Sequence, residues 1–510
     1  MAAPRGSEDE TIVALATPVG NAALAVVRVS GPLAGTLAAG GPLGARPLAA
    51  RRAVHRNYHA CDGRLIDDVV AVLFPGPRSY TGENVLELST HGNPHLVQRV
   101  IDDLCARGCR PARPGEFTQR AFLSGRMDLS QAEAVMDVIR ARSDRSLELA
   151  QRQLRGELGR RLAPLEDGLL QALAEIEAYI DFPEEDLPIE DRQRVVQRLE
   201  AVRSGVQNLL ATRRVGAWVR DGIRTVIVGQ PNAGKSSLLN RLVGYERALV
   251  SPEPGTTRDF LEEGVRVGPH VLRLIDTAGF NELPSNELEK NGITLGTRQM
   301  AEADLVLWVI DLADPSPARP PPVASSWLPE RTLIVGNKQD LVAPPVAAAV
   351  LAQAAASLSA ARAQPELSPG GVTDVAVPSS SPSTPTASTS PVPGASAALS
   401  PWGTVTVSAV AGTGVETLLA AIEARANQWQ QAAGAEAVAV SARHEQALLR
   451  AAQLLDQVVS PLRMTAGPTP PMELLASDLR GALEALGEIL GRYDPERMLD
   501  RLFATFCIGK

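Results

Sequence analysis

Apolar residues change their spacing several times along this chain, and each change marks a different kind of structure. From about residue 10 to 125, apolar or alternating runs at 11–15, 24–29, 69–74 and 85–88 are bounded by Gly, Pro and Asn. Such runs predict half-buried strands, and 95–105 reads as a helix packed on them. From 129 to about 212, Ala, Leu, Glu, Gln and Arg recur at three- and four-residue spacing, which predicts long amphipathic helices divided at Asp181-Phe182-Pro183. Between about 220 and 425, apolar strands at 225–228, 271–275, 332–335 and 405–407 each run into a polar or glycine-bearing turn. Helical spacing then returns, with Leu448, Leu455 and Val458 on one face and Leu479, Leu483, Leu486 and Leu490 on another. Two helical blocks on either side of an α/β module predict one helical domain interrupted by an insertion, each block covering the apolar stripe of the other. The expected fold is multidomain: an α+β N-terminal domain (1–125), an all-α helical domain in two parts (126–219 and 426–510), and an inserted α/β domain (220–425). Residues 364–401 are mostly Ser, Pro, Thr, Ala and Gly, too poor in large apolar groups to offset their ordering entropy, and 315–322 is a shorter stretch of the same kind.

The turns of the inserted domain carry the chemistry. Gly229-Gln230-Pro231-Asn232-Ala233-Gly234-Lys235-Ser236 lies between a strand and a helix, as a phosphate-binding loop must. Asn232, Ala233, Gly234, Lys235, Ser236 and Ser237 would line the phosphates, with Lys235 on the β- and γ-phosphates and Ser236 on Mg²⁺. Asp276-Thr277-Ala278-Gly279 follows the next strand, placing Asp276 to hold Mg²⁺ through water and the Gly279 amide to sense the γ-phosphate. Asn337-Lys338-Gln339-Asp340 follows the third, and the Asp340 carboxylate is an acceptor pair for the N1–H and N2–H₂ edge of guanine. Adenine would leave that carboxylate unpaired. Ser408-Ala409-Val410 would finish the base pocket. Four such turns in this order predict an α/β P-loop GTPase domain with GTP as substrate. In Gly255-Thr256-Thr257-Arg258-Asp259, Thr257 is the hydroxyl expected on Mg²⁺. Phe280, not glutamine, follows Gly279, so the attacking water must be oriented by another group. Asn232 could hold a monovalent cation beside the phosphates, or only shape the turn.

Composition changes this picture little. The chain has 510 residues, room for about three domains, with 45% hydrophobic and 21% charged residues and a formal charge of −8. No global basic field draws it to nucleic acid, so any RNA contact is local. Arg140, Arg142, Arg145, Arg152, Arg155, Arg160 and Arg161 recur along one helical block and read either as contacts to an RNA backbone or as a solvated face. The four cysteines, Cys61, Cys105, Cys109 and Cys507, form neither a disulfide framework nor a zinc pattern. Without an apolar run of spanning length or a secretion leader, no membrane contact and a cytoplasmic location are expected.

Motifs outside the inserted domain narrow the reading. They are Phe74-Pro75-Gly76-Pro77, Tyr80-Thr81-Gly82-Glu83, Val85-Leu86-Glu87-Leu88, His91-Gly92, Arg113-Pro114-Gly115-Glu116-Phe117-Thr118 and the terminal Phe506-Cys507-Ile508-Gly509-Lys510. Together with the turns above they closely resemble the MnmE (TrmE) family of tRNA modification GTPases, over nearly the whole chain. The resemblance implies a homodimer working with an FAD-containing MnmG (GidA)-type partner, in a heterotetramer or larger complex. The product would be an aminomethyl or carboxymethylaminomethyl group on C5 of the tRNA wobble uridine. It implies a tetrahydrofolate derivative (5-formyl- or methylene-) bound by the N-terminal domain at Arg28, Glu87, Arg126 and Lys510. It further implies hydrolysis that depends on K⁺, with Asn232, Ser251, Glu253 and Thr256 as ligands. Ser251 and Thr256 would also touch the nucleotide, and Glu289 would orient water. Catalytic roles thus fall on Glu289, Lys235 and Thr257. Cys507 is suited either to attack C6 of uridine or to fill a small buried apolar site. The alternative function is a regulatory switch GTPase, as in ribosome assembly, without RNA chemistry.

Overall fold

The computed structural model of the chain describes residues 10–181, 189–245, 262–275, 303–314, 316, 319–321, 327–363, 402–432, 438–463, 471–492, 502–503, 506–507 and 509. These divide into two compact units: Met1–Ala141, Ser146–Gly216 and Ala437–Lys510 in one, Arg142–Arg145 and Ala217–Glu436 in the other.

The first unit begins with β1 (Ile12–Leu15), β2 (Ala22–Ser30), α1 (Pro32–Ala39), β3 (Val54–His59), β4 (Leu65–Phe74), β5 (Val85–Gly92), α2 (Pro94–Ala106), β6 (Arg110–Pro111) and α3 (Glu116–Leu123). Six strands form one sheet in the order β3-β4-β5-β2-β1-β6, antiparallel except for the β1–β6 pair. Alternation decides which side is core: Ala25, Val27 and Val29 of β2 are buried while Val26 and Arg28 between them are half-exposed. On β5 the same register leaves Glu87 facing Arg28 across the pair. The packed side is covered by α1 and α2. The latter starts cleanly because Asn93 accepts from the His95 and Leu96 amides and Pro94 occupies the first turn.

Helices follow: α4 (Leu129–Arg140), α5 (Asp144–Leu154), α6 (Glu157–Asp181) and α7 (Ile189–Asp221), whose last residues belong to the second unit. The second unit holds β7 (Ile223–Gly229), α8 (Lys235–Tyr245), β8 (Glu262–Val267), β9 (His270–Ile275), β10 (Leu305–Asp311), β11 (Thr332–Asn337), α9 (Pro344–Ala363), β12 (Gly403–Thr406) and α10 (Val415–Ala432). The chain then returns to the first unit with α11 (Ala442–Arg463) and α12 (Met472–Leu490). Helices from both stretches share one core, in which Leu162, Leu169, Leu199 and Val206 meet Leu448, Leu455, Leu479 and Leu486, all fully buried. Packing of this kind supplies most helical stability, because propensity alone is worth little per residue.

An ionic cluster ties α4 to this core. Glu133 accepts from Arg443 Nε at 2.8 Å and pairs with the buried His444 at 2.9 Å, while Arg443 also caps α12 through the Glu488 and Ile489 carbonyls. Burial alone would raise the Glu133 carboxyl, but His444 and Arg443 outweigh it and hold the group down at about 2.

In the second unit the sheet order is β12-β11-β10-β7-β9-β8, all parallel but for β8 against β9. Among the described residues one helix, Pro344–Ala363, is long and apolar enough by composition to cross a membrane. It is alanine-rich and packs Leu351, Ala354, Ala355 and Leu358 into the core beside Trp308 and Ile334, as a sheet-covering helix does. The molecule therefore combines an α+β N-terminal region, helical packing and an α/β unit, the class expected from the sequence. The Ser/Pro-rich 364–401 stretch lies outside the described residues.

Candidate nucleotide site and N-terminal polar site

The phosphate loop leaves β7 at Gly229, where a Cβ would stand 2.1 Å from the Val309 carbonyl of β10. Only glycine allows that approach. Asn232 takes a left-handed backbone at φ 63°, a conformation asparagine tolerates better than most residues, and its side chain is exposed. Gly234 (φ 88°) brings the loop so close to Asn337 that a Cβ would meet its Nδ2 at 2.1 Å. Lys235 opens α8 and is only 9% exposed; its Nζ donates to the Gly229 and Gln230 carbonyls at 3.0 Å each. The ammonium is thus held inside the loop it is expected to serve. Ser236 and Ser237 follow with exposed side chains, and Ala233 is buried.

On the base side, Asn337 joins three segments. Its Nδ2 donates to the Ala233 carbonyl at 2.9 Å, and its Oδ1 accepts from the Ala409 amide at 3.0 Å, with the side chain buried. Breaking this bridge would leave two buried groups unpaired, at about 1–3 kcal/mol each. Lys338 (φ 63°) swings the chain out of β11 and pairs with Asp311 at 2.6 Å. Gln339 donates its amide to the Val407 carbonyl at 3.1 Å and its side chain to Thr413 at 2.8 Å. Asp340 then stands exposed on the short turn Gln339–Leu341. Ser408 is buried, and its hydroxyl accepts from the Ala411 amide at 3.0 Å. Arg241 of α8 donates to the Ala409 carbonyl at 3.0 Å and also to that of Val410, which is otherwise exposed. So the structure brings Asn232, Ala233, Gly234, Lys235, Asn337, Lys338, Asp340, Ser408, Ala409 and Val410 to one edge of the sheet. Sequence reasoning missed Asp311 and Arg241. Asp311 was available by the rule applied to Asp276, an acid at the end of an apolar strand; Arg241 carried no signal. The expectations placed on Ser251, Glu253, Thr256, Thr257, Asp276, Thr277, Ala278, Gly279, Glu289 and Lys510 lie outside the described residues.

The N-terminal polar site is built on neighbouring strands of the first sheet. Arg28 and Glu87 pair at 2.9 Å, and a second nitrogen of Arg28 donates to the Gly509 carbonyl at 3.1 Å. The guanidinium stands 5.5 Å from the Tyr80 ring centroid and 5.7 Å from that of Phe117, within cation–π range. Arg126 is exposed in the turn between α3 and α4, beside Gly82. Cys507 is exposed, which excludes the buried apolar filling offered for it above; its carbonyl accepts from Gly115. Phe503 and Phe506 before it are buried against Leu129 and Met136. A neighbouring network was not legible: Glu116, 2% exposed, is bonded by Arg110 and Arg120, and Arg120 also holds Glu83 at 3.0 Å. Burial would raise the Glu116 carboxyl, yet the bonds from Arg110 and the Arg113 amide bring it to about 2.

Known proteins resemble this chain along nearly its whole length. A family model described as the MnmE helical domain matches residues 129–507, and one described as GTP-binding protein TrmE N-terminus matches 11–126. A tRNA modification GTPase MnmE of Opitutus terrae is 50% identical over 503 residues, covering 98% of this chain and 99% of that protein. Proteins of the same name from Akkermansia muciniphila (38% over 508 residues, 98% and 99% covered) and Aquifex aeolicus (35% over 503 residues, 98% and 100% covered) are also similar. With both family models matched and the likeness running nearly end to end, the chain belongs to the MnmE (TrmE) family of tRNA modification GTPases.

Proposed function

We propose that this chain hydrolyses GTP in the service of tRNA modification. Together with an MnmG-type FAD partner, it installs an aminomethyl or carboxymethylaminomethyl group on C5 of the wobble uridine. The observation that carries the reading is the Asn337 bridge, which binds the phosphate loop and the base-side turn into one frame in a chain of this family. Guanine selectivity rests on Asp340, and Mg²⁺ would be held by Ser236 with Thr257. Deletion of the gene should remove the modified wobble uridine from bulk tRNA, and the intact gene should restore it. Mass spectrometry of tRNA nucleosides reads this directly; unchanged nucleosides in the deletion strain would overturn the reading.

Hydrolysis is further proposed to depend on K⁺, held by Asn232, Ser251, Glu253 and Thr256, with Glu289 orienting water. Support comes from Asn232, an exposed residue with a left-handed backbone within the loop. GTP turnover should rise at least tenfold in KCl over NaCl at equal ionic strength, since supplied positive charge is worth up to about 10³–10⁵ in other GTPases. Equal rates would remove the cation from the mechanism.

At the N-terminal site, Arg28 and Glu87 pair with each other beside the half-buried Tyr80, so a ligand would exchange that pair for its own carboxylate on Arg28 and its amino-pyrimidine edge on Glu87. That set fits a tetrahydrofolate derivative, which would supply the one-carbon unit when bound; Arg126 and Lys510 complete the proposed contacts. The protein is further proposed to be a homodimer through its N-terminal region, as the family likeness suggests. A cytoplasmic location follows from tRNA as substrate.

A further inference from the structure

In the first unit, beside the C-terminal segment, lies an open cleft of about 640 Å³. Phe122, Leu123 and Met127 give it apolar surface, and Arg160 and Arg492 bring charge to it. Phe122 and Met127 also pack against the cluster containing Phe503 and Phe506, so the cleft backs onto the residues that lead to Cys507. Its walls are unusually bare. Gly125, Gly156, Gly159 and Gly491 all line it, and a Cβ on Gly491 would strike the Phe122 ring at 2.6 Å. Asp128, whose Oδ1 caps α4, keeps Oδ2 on the wall facing Gly159. A flat ring could therefore lie against main chain and Phe122, with one carboxylate oxygen at its edge.

The rim is basic. Glu157 is shared by three guanidiniums, from Arg160 at 2.9 Å, Arg161 at 3.2 Å and Arg152 at 3.7 Å. Arg155 stands exposed immediately before Gly156. Arg152, Arg155, Arg160, Arg161 and Arg492 against the carboxylates of Glu157, Asp128 and Glu166 leave a local excess of positive charge on a chain whose formal charge is −8. Part of the arginine run left open in the sequence is thus concentrated at one elbow, between α5 and α6. Apolar floor, bare walls and arginine rim together match an unpaired nucleotide: a base needs a stacking surface and its phosphates need guanidiniums.

We propose that this cleft receives one unpaired nucleotide of the tRNA, with its base over Phe122 and Met127 and its flanking phosphates on Arg155 and Arg160. The proposal rests on the tRNA reading above and adds the place where the RNA is held. It is tested with the full-length protein and an unmodified tRNA transcript, titrated at several salt concentrations. The variants are Arg155→Ala with Arg160→Ala, and separately Leu123→Ser. All three side chains are exposed, so folding should survive, which thermal unfolding and GTP turnover will verify. The double variant should bind at least about tenfold more weakly and flatten the salt slope by about 1.4, or 0.7 per phosphate on a single strand. Leu123→Ser should weaken binding about threefold or more with the slope unchanged, since it removes contact and no charge. Wild-type affinity and slope in all variants would overturn the cleft and leave the tRNA reading standing. A wild-type protein that fails to bind tRNA would overturn both.

Discussion

Lys235→Ala is expected to abolish measurable GTP turnover and to weaken GTP binding by about a hundredfold. In the structure the ammonium is nearly buried and donates to two loop carbonyls, Gly229 and Gln230, at 3.0 Å each. Those carbonyls are neutral acceptors, and the β- and γ-phosphates of GTP are charged ones at the same rim. A charge-assisted bond is worth about 1.5–3 kcal/mol, so losing two costs roughly 3 kcal/mol or more, which is two decades in affinity. Turnover falls further, because charge develops on the phosphate oxygens as the bond to the leaving group breaks. Nucleotide titration and phosphate release measure the two effects separately. The substitution should leave the fold intact, since the carbonyls it uncovers lie at a loop that water reaches. Turnover within a few-fold of wild type would show that the loop does not cradle a triphosphate.

Asp340→Asn should exchange guanine for xanthine preference, lowering GTP affinity by about 10³-fold or more and raising that for XTP. The carboxylate presents two acceptors to the N1–H and N2–H₂ edge of guanine. An amide presents one acceptor and one donor, and the donor faces guanine's own donors. Sites built to bond a particular polar edge reject a mismatched one by about 10⁴–10⁵. Xanthine carries a carbonyl where guanine carries its amino group, so the new amide matches it. Because Asp340 is exposed on its short turn and the Asn337 bridge does not involve it, the effect on stability should be small. Competition among GTP, ATP and XTP decides the matter. Retained GTP preference would place the base elsewhere.

Most of the second unit was legible because its function and its fold use the same residues. Gly229 and Gly234 are glycines for reasons of approach to Val309 and Asn337, and the same bare backbone is what phosphates require. Spacing therefore exposed fold and site together. Where an element carries no such chemistry it went unread. The strand β10 is continuously apolar from Leu305 to Ile310 and central in the sheet, yet no recognised turn followed it. In the first unit, edge strand β3 reads Val-His-Arg-Asn-Tyr-His, and Arg56, standing between Val54 and the buried Tyr58 on the inward side, hides the alternation. Helix α9 is a run of alanines in which small residues meet the sheet, so its buried face barely differs in hydropathy from its exposed one. Networks were least readable of all. Glu116 and Arg120 form a local i,i+4 pair, but the link from Arg120 to Glu83 and the Glu133–Arg443–His444 cluster join residues far apart in sequence, which no local pattern announces.

The divided helical core has a consequence for biosynthesis. Leu162, Leu169, Leu199 and Val206 emerge from the ribosome well before Leu448, Leu455, Leu479 and Leu486, and the whole of Ala217–Glu436 must be translated in between. At synthesis rates of about 5–20 residues per second, that interval lasts roughly ten to forty seconds. For that time the nascent polypeptide carries a greasy, half-built bundle that no later stretch has yet arrived to complete. Co-expression of a chaperone is therefore expected to raise the yield of active protein, which the soluble fraction measures.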